Sequence, residues 1–199
     1  MNKGFFNRSA DKVAKELLGK IIVRKINGKK LNARIVETEA YFDEKDPASR
    51  ARFNGDLRAT MLMEGGTILV YGVHNNWLVN IVTCEEGKAQ AVLIRAVEPI
   101  NFDGKCNGPG LLTKAMKIGK EFHKRNIIDN NEIWIEDNSK LMYNLTKENK
   151  MNSSGMEPNK LSTDYNNFEI IKSFRIGVRK DLPRKLRFYI NGNKWVSGK

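Results

Sequence analysis

At 199 residues, with 40% hydrophobic and 29% charged side chains, the chain has the size and composition of one soluble globular domain that buries a core without staples. Its 35 Lys and Arg outnumber 23 Asp and Glu, and the formal charge of +12 draws polyanions such as nucleic acid or anionic lipid. Cys84 and Cys106 form no CxxC pair, and His74 and His123 lack ligand spacing, which excludes a disulfide scaffold and a metal centre; the start has no signal-peptide core and no run is long enough to span a membrane.

In chain order, Ser9 caps a helix with apolar positions Val13, Leu17 and Leu18, ending near Gly19. Ile21 to Ile26 reads as a strand, Asn27-Gly28 as a tight turn, and Leu31 to Tyr41 as the returning strand. Asp46-Pro47 opens a short helix or turn, and Arg50 to Arg58 is basic and irregular. After Gly65-Gly66 comes a second hairpin, Thr67 to His74 and Trp77 to Thr83, joined at Asn75-Asn76. Ala89 to Val97 is a strand closed by Pro99; Asn107 to Gly110 turns into a helix over Leu111 to Ile118; Glu132 to Glu136 is a short strand. Residues from about 137 to 167 are polar and aperiodic, a surface insertion within one domain spanning 1–199. Strands return near Ile170 and at Leu186 to Ile190, so the fold class is α+β: a single compact domain with a curved, mainly antiparallel sheet, few helices and a protruding hairpin.

Two features stand out against this frame. Along Arg34 to Tyr41, strand alternation places Ile35, Glu37, Glu39 and Tyr41 on one face, so two carboxylates about 7 Å apart interrupt an apolar row. Buried there, they need partners or a task; at an edge they would pair with Lys or Arg. From Lys172 onward Asp181 is the only acid among many Lys and Arg, interleaved with Phe174, Phe188, Tyr189 and Trp195, the pattern of a folded surface facing nucleic acid rather than a solvated tail.

Taken together, Arg34 to Tyr41, Tyr71 to Asn80, Leu93 to Pro99, Cys106 to Pro109 and Leu186 to Ser197 resemble, in their order, the alkyladenine (3-methyladenine) DNA glycosylases. The resemblance runs nearly end to end apart from the polar insertion. It implies a monofunctional hydrolase of base excision repair that rotates an alkylated or deaminated purine out of duplex DNA and cleaves its glycosidic bond with water. It implies no metal or organic cofactor. The expected partner is double-stranded DNA carrying damaged bases, with no membrane; the expected form is a monomer, in the cytoplasm with the nucleoid if the source is prokaryotic, with a nuclear location left open. On this resemblance Glu39 activates the water, Arg95 helps hold it, Tyr41 and Tyr71 stack on the base, and Asn80 screens its minor-groove edge. Glu37, on the same strand, is an ion-pair partner, since two groups on one strand do not readily flank a substrate.

The chain departs from the family at three places. Arg50 stands where a histidine donates to the extruded base, and a fixed cation there repels a cationic base, selects a neutral one with an acceptor, such as hypoxanthine, or equally turns toward phosphate. The hairpin tip is shortened, so His74, with Trp77 beyond the turn, takes the place of the tyrosine wedge. The usual Thr-Pro-Arg-Asn run is missing, leaving Arg52 and Arg58 as the backbone contacts. These departures keep a second expectation open, a damaged-DNA-binding module with weak or no catalysis. A third, an RNA- or membrane-surface-binding basic protein, rests on charge alone.

Overall fold

A computed structural model describes residues 1–138 and 167–198 of the chain. The polar insertion expected over about 137–167 falls almost wholly outside the described residues. The strands, in chain order, are β1 (Ile21–Ile26), β2 (Lys29–Tyr41), β3 (Ile68–Val73), β4 (Asn76–Val82), β5 (Ala91–Pro99), β6 (Ile133–Glu136), β7 (Ile170–Ser173) and β8 (Arg187–Ile190). They form one eight-stranded sheet in which β3-β4-β5-β2-β1-β6 is the main path and β8 bridges β2 and β7. Every described pairing is antiparallel. With helices α1 (Lys3–Phe6), α2 (Ala10–Leu17), α3 (Asp56–Met61) and α4 (Pro109–Ala115), this is the expected α+β class, a curved antiparallel sheet with few helices. No described helix is long and apolar enough to cross a membrane.

The β1–β2 hairpin turns on Asn27 and Gly28, both at positive φ (48° and 81°), the conformation that lets a two-residue turn match strand twist. Strand β2 is the spine. It pairs with β5 along one side; on the other, its first half takes β1 and its second half takes β8. Helix α2 lies across it with Val13, Ala14 and Leu17 buried in the main core, and the Thr38 hydroxyl donates to the Ala14 carbonyl at 2.8 Å. Ser9 precedes α2 as expected, but its side chain makes no capping bond; its hydroxyl donates to Asp11 instead.

Three readings of the sequence need correction. Ile35 does not share a face with Glu37. The β2–β5 register shifts between Ile35 and Glu37 and again between Glu37 and Thr38. The pairing thus skips Val36 on one strand and Arg95 on the other, a double bulge. Ala33 and Ile35 enter the core before it, and Val36 and Ala40 after it, so Glu37, Glu39 and Tyr41 are turned to the opposite face. The second hairpin turns at His74-Asn75 (φ 49° and 60°), one residue earlier than read, and Asn76 opens β4. Residues 50–58 are not irregular: Arg50–Arg52 is a 3-10 turn capped by the Ser49 hydroxyl, and α3 follows from Asp56. Asp46-Pro47 makes a turn, one of the two forms expected of it, with Asp46 accepting from the amides of Phe42 and Ala48.

Because Leu17 is fully buried between α2 and the sheet, Leu17→Ala is expected to lower unfolding free energy by about 2–5 kcal/mol, read from the shift of a urea melt with unchanged slope.

Candidate active site

The face of β2 turned away from α2 carries the two carboxylates, and both are fully buried. Each is met by donors from distant segments. Glu37 accepts from Arg187 on β8 (Nε–Oε1, 2.5 Å) and from the Ser197 amide (2.7 Å), and Arg95 approaches at 3.4 Å. Arg187 also donates to the Ser197 carbonyl, and Arg95 donates to the Ser197 hydroxyl. Glu37 is therefore the ion-pair centre expected of it, with two arginines rather than one.

Glu39 is held more loosely. Its Oε1 accepts from the Ile176 amide at 2.8 Å. Its Oε2 accepts from the Tyr41 hydroxyl at 2.7 Å and, at the long distance of 3.5 Å, from Arg95. Burial pushes its carboxyl above the ordinary value of 4.5, and Arg95, the Ile176 amide and Tyr41 offset only part of that rise. A carboxylate with weak counter-charge, two short neutral donors and no solvent is more basic than a surface glutamate.

Tyr41 is half-buried beside it, and burial together with the Glu39 charge raises its phenol well above the usual range, so it donates to Glu39 as a neutral group. Beyond Tyr41 lies a second buried network that sequence reasoning missed. Arg175 makes a bidentate pair with Asp46 (both 2.7 Å), a further pair with Asp181 and a hydrogen bond to the Ala40 carbonyl. Its guanidinium carbon lies 4.5 Å from the Tyr41 ring centre. Burial works against the Asp46 charge, yet Arg175 and two backbone amides hold that carboxyl below its ordinary range. Arg175 thereby fixes the loop whose next residue, Ile176, donates to Glu39. No spacing signal marks Arg175 among the other basic residues near the end of the chain, and Asp46 reads only as a turn former.

Tyr71 on β3 is half-buried, and Arg50 lies over it with its guanidinium carbon 4.8 Å from the ring centre. Burial raises the Tyr71 phenol, while Arg50 and Asn80 pull it back, which puts both beside the phenol. Asn80 is buried mid-strand on β4, its amide donating to the Leu69 carbonyl at 3.2 Å. The sheet thus brings together Glu39, Tyr41 and Arg95, with Tyr71, Asn80 and Arg50 adjoining.

The remaining predicted residues lie elsewhere. His74 and Trp77 stand exposed at the β3–β4 tip, where Trp77 is paired with Gly72 and its ring covers that glycine. Arg52 is exposed and donates to the Pro47 carbonyl at 3.0 Å. Arg58 is tied to its own loop through the Ala51 carbonyl (2.7 Å) and Glu44 (3.7 Å). A cleft of about 420 Å³ between the hairpin tip and α4, walled by Trp77, Thr113, Lys114 and Lys117, includes none of the Glu39 cluster. Among the described residues no three His, Cys, Asp or Glu side chains group as metal ligands would.

Residues 4–194 match the methylpurine-DNA glycosylase family. A protein of Aeropyrum pernix is 38% identical over 199 aligned residues, covering 98% of this chain and 91% of its own length. One of Borreliella afzelii is 35% identical, with 99% of each chain covered, and one of Clostridium beijerinckii is 33% identical, covering 100% of this chain and 99% of its own. Each of the three bears the name "Putative 3-methyladenine DNA glycosylase". The chain belongs to the methylpurine-DNA glycosylase family.

Two predictions follow from the buried charges. Asp46→Ala strands Arg175 with one partner fewer in a fully buried position and is expected to cost about 3–5 kcal/mol in a urea melt. Glu39→Gln should act in the opposite direction. A folded-state carboxyl raised above 4.5 stays protonated while the unfolded one ionises, so its burial subtracts stability as pH climbs past 4.5. The glutamine variant should melt higher than the parent at neutral pH, and the difference should shrink as pH falls below that value.

Proposed function

We propose that this member of the methylpurine-DNA glycosylase family hydrolyses the N-glycosidic bond of a damaged purine turned out of duplex DNA, with Glu39 activating the water. The single observation that carries the reading is the buried Glu39 carboxyl, raised by its surroundings and placed against Tyr41 and Arg95. Such a group takes a proton more readily than an exposed one, and its negative charge favours an oxocarbenium-like sugar. The names of the relatives point to alkylated purines as the substrate class.

The roles then divide by chemistry. Water adds to the sugar carbon as the bond to the base nitrogen breaks; Glu39 takes the water's proton, and the base leaves with the bonding electrons. Arg95 orients Glu39 and its water. Tyr41 and Tyr71 supply ring faces that hold the extruded base by stacking, and Asn80 crowds its minor-groove edge. His74 and Trp77, exposed at the hairpin tip, fill the gap left in the duplex, and Arg52 reaches phosphate. The chain acts as a single-domain monomer on duplex DNA.

The test is single-turnover base release from methylated duplex. Glu39→Gln should lower the rate at least about 100-fold, the span of general-base catalysis. The parent's rate should rise with pH through an acid limb lying above 4.5, and the variant should lack that limb. Equal rates in the two proteins sink the role of Glu39. Tight binding of lesion duplex by the parent with no release at any pH would instead make the protein a damage-binding module.

A further inference from the structure

We infer that Arg50 makes this site selective for a neutral purine bearing an acceptor at C6, a deaminated base such as hypoxanthine, over the cationic bases left by methylation at N3 or N7. The inference rests on the function proposed above. Arg50 sits at the start of the 3-10 turn, between the buried Ser49 and Ala51. Ser49 anchors that backbone: its hydroxyl donates to the Phe42 carbonyl at 2.5 Å and accepts from the Ala51 amide at 3.0 Å. The side chain is aimed back over Tyr71, 4.8 Å from the ring centre, and no carboxylate lies within ion-pair distance of it among the described residues.

The charge balance of the cluster gives that position its meaning. Glu37, Glu39, Asp46 and Asp181 are met by Arg95, Arg187 and Arg175. With Glu39 ionised, as a water-activating base requires, those groups leave one unit of negative charge. It would favour a cationic base. Arg50, exposed to solvent over the neighbouring Tyr71 ring, sets a positive charge against it and offers a donor fork.

A guanidinium fits the O6 and N7 acceptors of a 6-oxopurine. Against 7-methylguanine it keeps the O6 acceptor but loses N7 to the methyl group and meets a like charge. It also mismatches an adenine edge, whose 6-amino group is itself a donor. The leaving-group chemistry points the same way. A methylated cationic base departs neutral and needs little help. A neutral purine departs with negative charge spreading onto N7 and O6 as the sugar–nitrogen bond breaks, and a fixed cation there stabilises that charge until the proton released from water reaches the base. Guanine shares the O6 and N7 edge. It differs by its 2-amino group, on the edge assigned to Asn80, and by stronger pairing in the duplex, which resists extrusion.

The experiment compares single-turnover release from two duplexes of identical flanking sequence, one with hypoxanthine and one with 7-methylguanine, by the parent, Arg50→Gln and Arg50→Lys. The ratio of hypoxanthine to 7-methylguanine release is expected to fall at least tenfold in Arg50→Gln and less in Arg50→Lys, which keeps the charge without the fork. A ratio unchanged or raised in Arg50→Gln overturns the inference, including the case in which both rates fall by one factor, as loss of a phosphate contact would give. Failure of the underlying reading looks different: the parent then releases neither base. If the parent releases both and Glu39→Gln stops both while Arg50→Gln leaves the ratio alone, only the role of Arg50 is lost.

Discussion

Two fully buried carboxylates two residues apart on one strand set the terms for the rest of the molecule. Removing an ion from water costs several kcal/mol even after the protein relaxes, so such a strand folds only if compensating donors arrive from elsewhere. They come from β5 (Arg95), from the segment after β7 (the Ile176 amide), from β8 (Arg187) and from near the C-terminus (the Ser197 amide). The C-terminal third of the described chain thus supplies most of the donors. Its basic character therefore has a structural use as well as an electrostatic one: Arg175 and Arg187 are spent inside the protein, and neither is available at the surface.

The double bulge between β2 and β5 makes that arrangement compatible with a core. Had β2 run in regular alternation, Glu37 and Glu39 would have continued the face of Ala33 and Ile35, beneath α2. Skipping Val36 moves Val36, Thr38 and Ala40 inward instead, with Thr38 bonded to α2. Skipping Arg95 on the partner strand turns that guanidinium to the same side as the carboxylates it serves. One local irregularity thus both saves the core from two charges and assembles the ion pairs. Bulges commonly lie beside functional sites because they re-aim side chains in this way.

The same bulge marks the limit of what the sequence revealed. Strand positions followed from β-branched runs and turn residues, and β1 and its hairpin partner were legible almost to the residue. A two-residue period, however, carries no sign of a skipped residue, so Ile35 was grouped with Glu37 although the two face opposite ways. The short helical pieces around Arg50 and Asp56 were lost for a related reason: six residues or fewer show no helical period. Glu39, Tyr41 and Arg95 were named because the runs that hold them, Arg34 to Tyr41 and Leu93 to Pro99, resemble the glycosylase family. Arg175 and Asp46 stayed hidden, because a buried ion pair 129 residues apart leaves no local trace.

The unequal treatment of the two glutamates separates scaffold from chemistry. A carboxylate offers roughly four lone-pair sites. Glu37 has both oxygens engaged at 2.7 Å or less, with a second arginine at 3.4 Å, so protonating or moving it would strand two guanidinium groups. Glu39 has two donors on Oε2, one of them long, and a single amide on Oε1. One lone pair of Oε1 is left without a donor among the described residues. On the proposed chemistry that lone pair is where a water's proton goes. It lies on Oε1, so Glu39 can take a proton there while Tyr41 and Arg95 keep their hydrogen bonds to Oε2. The strand therefore carries one carboxylate whose partners fix the fold and one whose partners leave an oxygen able to take a proton.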